Sequence, residues 1–556
     1  MSKPPEDRFE EVGGTVEYFR RAAAPGRIRP STVGNAAITD HGDKMGTDYA
    51  CRPSIRLVDA ELPRVVDEVG SALIQADLGL YQRSGSIVRP ICLKVPAADG
   101  RTAISHRLGI VSAAHIAEMA TKAASFRKYD GRKKGWREVA CPARIAETYL
   151  ARMEWKLPPL AGTITAPLLR FDGSLLDRPG YDPSTALLFD PANTRYPPIP
   201  DHPTREQAEA ALKVYIDLLS EFPFVEEIDR AVALSASLTA LVRRSLPSAP
   251  FHVITAPDFG YGKTLLADAA ASISTGNICP VSSQGDSPEE LGKHLAAALI
   301  DGADLICIDN VSHPLGGDLL CQMLTQPTVR LRPLGVSTTM EVSTAITMLA
   351  TGTNLTVKDD LVRRTLRCRL AGNLERPELR QFKKRPLEEI AANRGAYVAA
   401  ALTIMRGYIA AGRPARHPTI GSFESWCSMV RDPLCWLGLP DVADSIAKTR
   451  ASDSKLNGLG ALLEQWNSAI GATSITAKAL VAKACEQEPD GRGGPDRFTY
   501  PELRDALLTA LGDKAAISSI ALGYWLRSNA GRIVDGLRIV PDGEGQRVQR
   551  WRCESV

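Results

Sequence analysis

The sequence predicts an α/β protein built around a mostly parallel sheet, with smaller domains before and after it. Three observations indicate this. The chain has 556 residues, which at roughly 100–200 residues per domain corresponds to about three to five domains. Between 204 and 375, helical segments alternate with short apolar strands, as in a parallel sheet. One of these strands leads into a glycine-rich loop that opens a helix.

The composition excludes several classes of protein. With 44% hydrophobic and 24% charged residues, the chain is neither disordered, fibrous nor a coiled coil. Its formal charge of +3 excludes a globally basic binder but not local basic patches. No apolar run is long enough to span a membrane, and the first residues do not resemble a signal peptide. Because the eleven cysteines include no C-x-x-C pair, we expect a reduced cytoplasmic protein with buried thiols and no zinc site.

The first 203 residues predict an arm, a small domain and a connector. Residues 1–50 carry Pro, Gly and charges without periodicity and predict a flexible arm. Residues 51–155 predict a small α/β domain, with a helix from about Glu61 and a charged hairpin at 126–137. Residues 156–203 are rich in Pro and Gly, which indicates an extended connector that packs on its neighbours.

The remaining chain predicts the central sheet and two further parts. Within 204–375 the candidate strands are FHVIT, PVSSQ, DLICID, ITMLATG and TLRCRL. Residues 376–470 predict a helical extension. Residues 473–556 predict a last domain with helices at 498–512 and 517–536 and two strands, LRIVP and VQRWRC, which we interpret as a winged helix. Trp525 and Trp551 are expected in its core.

A phosphate-binding loop is predicted at TAPDFGYGKT, which follows FHVIT and opens a helix. Backbone N–H groups of such a loop point at phosphates, and Gly260 and Gly262 let the backbone approach closely. Lys263 would reach the β- and γ-phosphates of ATP, and the Thr264 hydroxyl would hold Mg²⁺. Pro257 stands where the usual pattern has its first glycine. The predicted nucleotide-binding residues are Pro257, Gly260, Tyr261, Gly262, Lys263, Thr264 and Leu265.

Five further residues are candidates for the chemistry. Asp309 ends the strand DLICID, where a carboxylate would hold Mg²⁺ together with Thr264. Asn310 stands where many ATPases carry a Glu, and an amide can orient water but cannot take its proton. Asn354 ends the strand ITMLATG and could contact the γ-phosphate, or could be a simple strand end. Arg363 and Arg364 could reach a neighbouring subunit's site, or could be a solvated pair.

These motifs, in this order, resemble the AAA+ ATPases of the superfamily-three helicase type. The match lies in GYGKT (260–264), ICIDN (306–310), ATGTN (350–354) and DDLVRR (359–364). More specifically, the chain resembles poxvirus-type primase-helicases and the related replication ATPases of prophages and integrative elements. The resemblance covers about 140–440 well, the C-terminus moderately and the first 140 residues poorly. It implies a ring, commonly a hexamer, with ATP between subunits and single-stranded DNA in the channel.

Three surfaces are candidates for DNA contact. The segment 328–344 reads as a hairpin with Arg330 and Arg332 on one strand face; the resembled helicases grip DNA with a hairpin here, and a buried structural hairpin is the alternative. The 126–137 hairpin and the C-terminal domain carry the other candidates; the alternative is a solvated charged tip for the hairpin and a protein contact for the C-terminal domain. These residues are Arg132, Lys133, Lys134, Arg527, Arg532, Arg547 and Arg550.

The function predicted from these features is an ATP-dependent DNA helicase or translocase that replicates a mobile element such as a prophage, plasmid or integrative element. The alternative is a nucleotide-dependent initiator or helicase loader that binds DNA without unwinding it. The C-terminal domain is the candidate for contact with duplex DNA. Small-molecule phosphoryl transfer lacks a separate acceptor site. Primer synthesis is not predicted, because the N-terminal region has no acidic metal-binding pattern, so a separate primase or single-strand-binding protein stays open as a partner.

Overall fold

The computed structural model describes residues 16–18, 52–96, 102–192, 194–332, 339–371, 383–414, 417–451, 454–488, 497–511, 517–545 and 548–556. The chain divides into two compact units, Met1–Ala443 and Asp444–Val556. Within the described ranges, no helix has the length and apolarity needed to cross a membrane. The nine cysteines whose side chains the structure describes are all free thiols, and six of them are buried.

The N-terminal region of the first unit contains two small sheets and three helices. Its strands are β1 Val16–Tyr18, β2 Ser54–Leu57, β3 Tyr81–Arg83, β4 Ser86–Pro96, β5 Thr102–Ile110, β6 Ser125–Asp130 and β7 Gly135–Val139, and its helices are α1 Leu62–Ala76, α2 Ala113–Ala123 and α3 Ala143–Ala151. One sheet has the order β1-β4-β3 with β5 on β4, and the other has the order β2-β6-β7. Strand β1 is the only described part of the expected flexible arm.

The predicted hairpin at 126–137 is confirmed as β6 and β7, which pair antiparallel. Strand β2 adds to the hairpin in parallel with β6, a pairing that the sequence did not indicate. Ile55 of β2 and Phe126 of β6 are buried against Val66, Ile116 and Ile145 of the three helices. One face of this sheet therefore packs against the three helices and forms one side of the N-terminal hydrophobic core.

The connector forms five short strands, β8 Gly162–Ile164, β9 Leu168–Leu169, β10 Leu175–Leu176, β11 Gly180–Asp182 and β12 Leu187–Phe189. Arg170 Nη2 lies 2.9 Å from Asp182 Oδ2. Burial alone would raise the pKa of Asp182, but hydrogen bonds from Arg170, Thr185 and Ser184 outweigh it and lower the pKa to about 2. The Pro- and Gly-rich segment is therefore held by side-chain bonds as well as by its short ladders.

The central part of the first unit is the predicted parallel sheet. It comprises α4 Arg205–Leu218, α5 Glu227–Val242, β13 Phe251–Ala256, α6 Lys263–Thr275, β14 Val281–Ser282, α7 Pro288–Asp301, β15 Leu305–Val311, α8 Asp318–Thr325, β16 Thr328–Leu331, β17 Met340–Ser343, β18 Thr347–Thr353 and β19 Thr365–Arg369. The sheet order is β14-β15-β18-β13-β19, with every pair parallel. All five predicted strands are confirmed, and all six residues of β13 are buried, as expected for a strand covered on both faces.

Arg83 joins the N-terminal region to this sheet. Its guanidinium donates to the carbonyls of Ile300 and Leu299, both at 3.2 Å, at the end of α7. Burial, together with the nearby charge of Arg244, lowers the pKa of Arg83 to about 10. Cationic side chains at a helix C-terminus bond the last carbonyls and complement the helix dipole. The contact therefore terminates α7 with a side chain from another part of the chain.

The helical extension begins with α9, Pro386–Ala410, and continues through α10 Glu424–Trp426 and α11 Asp432–Trp436. Helix α9 is kinked at Asn393, where φ is −128°. The next residue, Arg394, is buried and donates to the carbonyls of Ile273 at 3.0 Å and Ser274 at 2.7 Å, near the end of α6. After the kink, the buried guanidinium of Arg394 therefore contacts the C-terminal end of α6.

The second unit contains α12 Asp444–Ala451, α13 Ser454–Ala469, β20 Ile475–Thr476, α14 Ala477–Ala484, β21 Gln487–Glu488, β22 Arg497–Phe498, α15 Pro501–Leu511, α16 Ser519–Asn529, β23 Ile533–Val534, β24 Leu537–Gly545 and β25 Val548–Ser555. Its four-stranded sheet has the order β20-β25-β24-β23. The helix predicted over 517–536 ends at Asn529, because the chain turns at Gly531, where φ is +78°, and enters β23.

The second unit begins at Asp444, whereas the sequence placed the start of the last domain at about 473. The difference is due to α13, whose residues Leu462, Leu463 and Trp466 are fully buried in the C-terminal core. Trp551 belongs to the same core with 3% exposure, and Trp525 packs against it, as predicted for both. The sequence shows that a helix has an apolar face, but it does not show which of two neighbouring cores that face packs against.

Candidate functional site

The predicted phosphate loop joins β13 to α6 at one edge of the central sheet. Gly260 and Gly262 have φ of +79° and +86°, a left-handed conformation that favours glycine. Gly262 is the N-cap of α6, so the first N–H groups of that helix face the loop. Pro257 is exposed at the start of the loop and contributes no N–H. Tyr261 is buried, and Leu265 is half-buried.

Lys263 is held by its own loop. Its Nζ donates to the carbonyl of Asp258 at 2.7 Å and lies 3.5 Å from Thr353 Oγ1. The ring of Phe259, which is 65% exposed, lies 5.6 Å from the ammonium. Burial lowers the pKa of Lys263, and the carboxylates of Asp258 and Asp309 oppose that shift. An incoming phosphate would therefore replace a carbonyl and a ring as the partners of this cation.

The side chains of Asp309 and Thr264 are in contact. Asp309 lies in β15, whereas Thr264 lies in α6, which follows β13. Strand β18 separates β13 from β15 in the sheet. Thr264 Oγ1 donates to Asp309 Oδ1 at 3.3 Å, and Thr351 of β18 donates to the same oxygen. Hydroxyl and carboxylate oxygens are ligands that Mg²⁺ prefers. These two side chains fit a magnesium ion next to the phosphate loop.

Thr351 was missed in the sequence, where it reads as an ordinary residue of an apolar strand. Its side chain is buried, it donates to Asp309, and its Oγ1 accepts the backbone N–H of Asn310 at 3.3 Å. The hydroxyl therefore fixes both the carboxylate and the residue that follows it. The strand order that brings Thr351 between the two motifs is not visible in the sequence.

Asn310 and Asn354 occupy the carboxyl ends of two adjacent strands. Their φ values are +54° and +47°, a conformation that Asn tolerates better than most residues. The Asn354 N–H donates to the carbonyl of Ala256 at 2.9 Å, which ties it to the end of β13. Both residues are exposed at the carboxyl ends of the strands, the same end of the sheet at which the phosphate loop lies.

Arg363 and Arg364 lie at the amino ends of the strands, opposite the carboxyl ends where the phosphate loop lies. They end a 3-10 turn, Asp359–Arg364, just before β19, whose first residue Thr365 pairs with Phe251 at the start of β13. The loop follows Ala256, five residues further along β13, or roughly 17 Å away. This register separates both arginines from the phosphate loop of their own chain.

The two arginines differ in their surroundings. Arg363 is 57% exposed and pairs with Asp360, whose hydrogen bond raises the pKa of the guanidinium. Arg364 is only 13% exposed, donates to the carbonyl of Cys321 at 2.7 Å, and lies 2.6 Å from Asp360. Arg364 therefore binds α8 to the sheet, whereas Arg363 faces outward.

The predicted hairpin at 328–344 is present as β16 and β17, and its tip, 333–338, lies outside the described residues. Arg330 and Arg332 are exposed, and the alternating residues Val329 and Leu331 are buried. Arg330 stands directly opposite Glu341 in the ladder. The basic face of this hairpin is therefore partly balanced by an acid.

The other DNA-binding candidates lie on exposed surfaces. Arg132, Lys133 and Lys134 are exposed at the turn of the 126–137 hairpin, where the N–H groups of the first two donate to Asp130. In the second unit, Arg527 lies 4.8 Å from the ring of Tyr524.

The remaining C-terminal arginines are mostly engaged. Arg532 donates to Asn529 Oδ1 at 3.2 Å, and Arg550 donates to Ser474 Oγ at 2.9 Å. Arg538 and Arg552 both pair with Glu554. Arg547 lies outside the described residues. The charge that these arginines offer to a ligand is therefore smaller than their number suggests.

Solved structures similar to this chain include the A form apo structure of the NrS-1 C-terminal region, at 13% identity and a TM-score of 0.40, covering 86% of this chain and 98% of that one. A second NrS-1 C-terminal structure has 12% identity and a TM-score of 0.38. The JCV helicase has 13% identity and a TM-score of 0.19, covering 45% of this chain and 67% of that one. No protein-family model and no curated protein matches the chain. Identities and TM-scores this low transfer no function from those proteins to this chain.

Proposed function

We propose that this chain is an ATP-hydrolysing DNA helicase or translocase of the AAA+ superfamily-three type, which serves replication of a mobile genetic element. One contact carries the proposal. Thr264, at the start of the phosphate-loop helix, meets Asp309 at 3.3 Å across an intervening strand, with Lys263 beside them. A loop, a cation and a metal-binding pair at the carboxyl edge of a parallel sheet together form a nucleoside triphosphate site.

Each residue of this site has a distinct part in the proposed reaction. The loop N–H groups and Lys263 bind the β- and γ-phosphates. Thr264 and Asp309 would hold Mg²⁺, which neutralises charge on the phosphate oxygens when bound. Asn354 and Asn310, at the two adjacent strand ends, orient the γ-phosphate and a water molecule.

The position of Arg363 supports an oligomeric enzyme. This exposed cation lies at the sheet edge far from the phosphate loop of its own chain. An arginine in that position can complete the site of a neighbouring subunit, where such a finger accelerates phosphoryl transfer by about 10³–10⁵. We therefore propose a ring, with six subunits as the form that the family resemblance implies, around single-stranded DNA.

The proposed DNA contacts are of two kinds. The β16–β17 hairpin, with Arg330 and Arg332 exposed, would face the channel. In the C-terminal unit, helices α14 to α16 are followed by the antiparallel pair β24–β25, an arrangement that supports a winged helix. Its exposed Arg527 and Arg532 would contact phosphates.

Asn310 favours a second candidate function. It occupies the position after the metal-binding Asp309, where a carboxylate could take a proton from water and an amide cannot. Slow turnover would suit an ATPase that assembles on DNA as an initiator or loads another helicase without unwinding DNA itself.

ATP hydrolysis by the purified chain, with and without single-stranded DNA, tests the proposal, together with strand separation on a forked duplex. We expect Mg²⁺-dependent hydrolysis that DNA stimulates, ATP-dependent unwinding, and loss of both in Lys263→Ala. Hydrolysis without unwinding, combined with duplex binding that survives Lys263→Ala, would favour the initiator or loader. Absence of Mg²⁺-dependent hydrolysis under any condition would refute both.

A further inference from the structure

The sheet β2-β6-β7 has one buried face and one exposed face. Ile55 pairs with Phe126, which pairs with Val139, and these three side chains face the helices of the N-terminal core. Because side chains alternate along a strand, Tyr129 and Trp136 stand on the opposite face. The ladder places these two residues directly opposite each other on β6 and β7.

Two large rings are exposed together on that face. Tyr129 is 52% exposed and Trp136 is 43% exposed. Their ring centroids lie 5.7 Å apart at an interplanar angle of 70°, an edge-to-face pair. The guanidinium of Arg56, from the third strand, lies 5.3 Å from the Trp136 ring. Three strands thus contribute to one flat, aromatic and cationic surface.

The charges around the rings are mainly positive. Arg127 is exposed next to Arg56 in the ladder, and the hairpin turn adds Arg132, Lys133 and Lys134. The acids nearby are already bonded: Glu138, which stands opposite Arg127 in the ladder, accepts from the Ser125 hydroxyl at 2.8 Å and lies 3.7 Å from Arg52, and Asp130 accepts two N–H groups of the turn. A ligand for this face should therefore be anionic and should carry planar groups.

We propose that this face, defined by Arg56, Arg127, Tyr129 and Trp136, binds single-stranded DNA. Bases stack on exposed aromatic rings while cations contact the phosphates, and stacking works for every base because each has a π face. An acidic peptide would satisfy the cations but not the rings, and the bases of a duplex are already stacked. The site lies in the N-terminal region, outside the central sheet and its hairpin, and its binding needs no nucleotide.

The test measures fluorescence anisotropy of a labelled oligothymidine with the full chain, without nucleotide. The double variant Tyr129→Ala, Trp136→Ala should bind about 5- to 150-fold more weakly, from the known range for losing one stacked base. Changing both residues to Phe keeps the rings and should restore binding to within about threefold. Phe171→Ala is the matched control, because Phe171 is 48% exposed with the Arg413 guanidinium 5.4 Å from its ring.

A second readout separates this face from the other DNA-binding candidates. An oligonucleotide containing halogenated deoxyuridine should crosslink on irradiation to Tyr129 or Trp136 of the wild-type chain. Crosslinks confined to other regions, with unchanged affinity of the double alanine variant, would overturn the proposal. So would an equal loss of duplex binding, or single-stranded RNA binding at least about tenfold tighter than DNA. Since no nucleotide is present, these outcomes are independent of whether the chain hydrolyses ATP.

Discussion

Replacing Thr351 with Val removes one hydroxyl from the site and leaves its shape nearly unchanged. Thr351 Oγ1 donates to Asp309 and accepts the N–H of Asn310 at 3.3 Å. In Thr351→Val, the carboxylate loses the partner that sets its orientation, and the Asn310 N–H loses an acceptor. Thr351 is buried and acts through its bonds to Asp309 and Asn310, so we class it as a positioning residue.

The size of the effect follows from these two bonds. A hydrogen bond to a charged group contributes about 1.5–3 kcal/mol. If the Asp309 bond matters mainly for holding Mg²⁺ in the reaction, its loss corresponds to roughly 10- to 150-fold in kcat/KM. Losing a partner of a metal ligand typically lowers metal affinity or activity by about 10- to 100-fold, which is the same range. We therefore expect about 10- to 100-fold slower hydrolysis and a higher Mg²⁺ requirement.

The assay is ATP hydrolysis at a series of Mg²⁺ concentrations. Thr351→Ser retains the hydroxyl and should recover most of the rate at ordinary Mg²⁺. Thr347→Val is a matched control, because Thr347 lies on the same strand and is buried, and its hydroxyl has no hydrogen-bond partner in the described part of the chain. A folded Thr351→Val chain with wild-type rate and Mg²⁺ dependence would refute the assigned role of this residue.

Three other changes and one pH effect test the remaining features. Asn310→Asp supplies a carboxylate at a left-handed position that Asp tolerates, so kcat should rise severalfold; an unchanged kcat would mean that another group activates the water. Arg363→Ala should lower hydrolysis by about 10³-fold or more, and mixing it with Lys263→Ala should restore part of the rate, because mixed neighbours can form an intact site; additive, unrestored rates would contradict a shared site. Arg394→Met should lower the free energy of unfolding by about 3 kcal/mol or more, measured as the first denaturant transition, because buried carbonyls lose charged donors. The depressed pKa of Asp182 stabilises the fold above the unfolded pKa of about 4, and this contribution should fade as pH falls from about 4 to 2; Asp182→Asn should show a flatter acid stability curve over that window.

The parts of the site carried by contiguous motifs could be predicted from the sequence. Two motifs could be recognised from their composition and from their neighbouring elements: the loop from Pro257 to Thr264 and the apolar run before Asp309. The contact between Thr264 and Asp309 was expected from motif order, and the structure gives its distance of 3.3 Å. The inner strands β13, β15 and β18 were recognisable because buried parallel strands are short and largely apolar, whereas β14 and β19 at the two ends of the sheet order are less completely buried.

Features that depend on how separate elements pack could not be predicted. Thr351 matters because β18 lies between two other strands, and strand order is not a local property. Arg363 and Arg364 are adjacent in sequence and equally basic, yet only the packing of α8 buries one of them. Arg56 stands 70 residues from the hairpin that it joins, so the cationic partner of Trp136 was invisible beside the hairpin motif.

The bonds made by Arg83 limit how far the chain can be shortened from its N-terminal side. A chain shortened to begin after residue 155 would lose the donor to the Ile300 carbonyl at the end of α7. It would also lose Gln82, whose backbone exchanges hydrogen bonds with Pro158 and Leu160 of the connector. The carbonyls at the end of α7 would then depend on water, and the connector would lose part of its ladder. The smallest part of the first unit that keeps these bonds therefore includes the N-terminal strands, even though every predicted phosphate-binding residue lies beyond position 250.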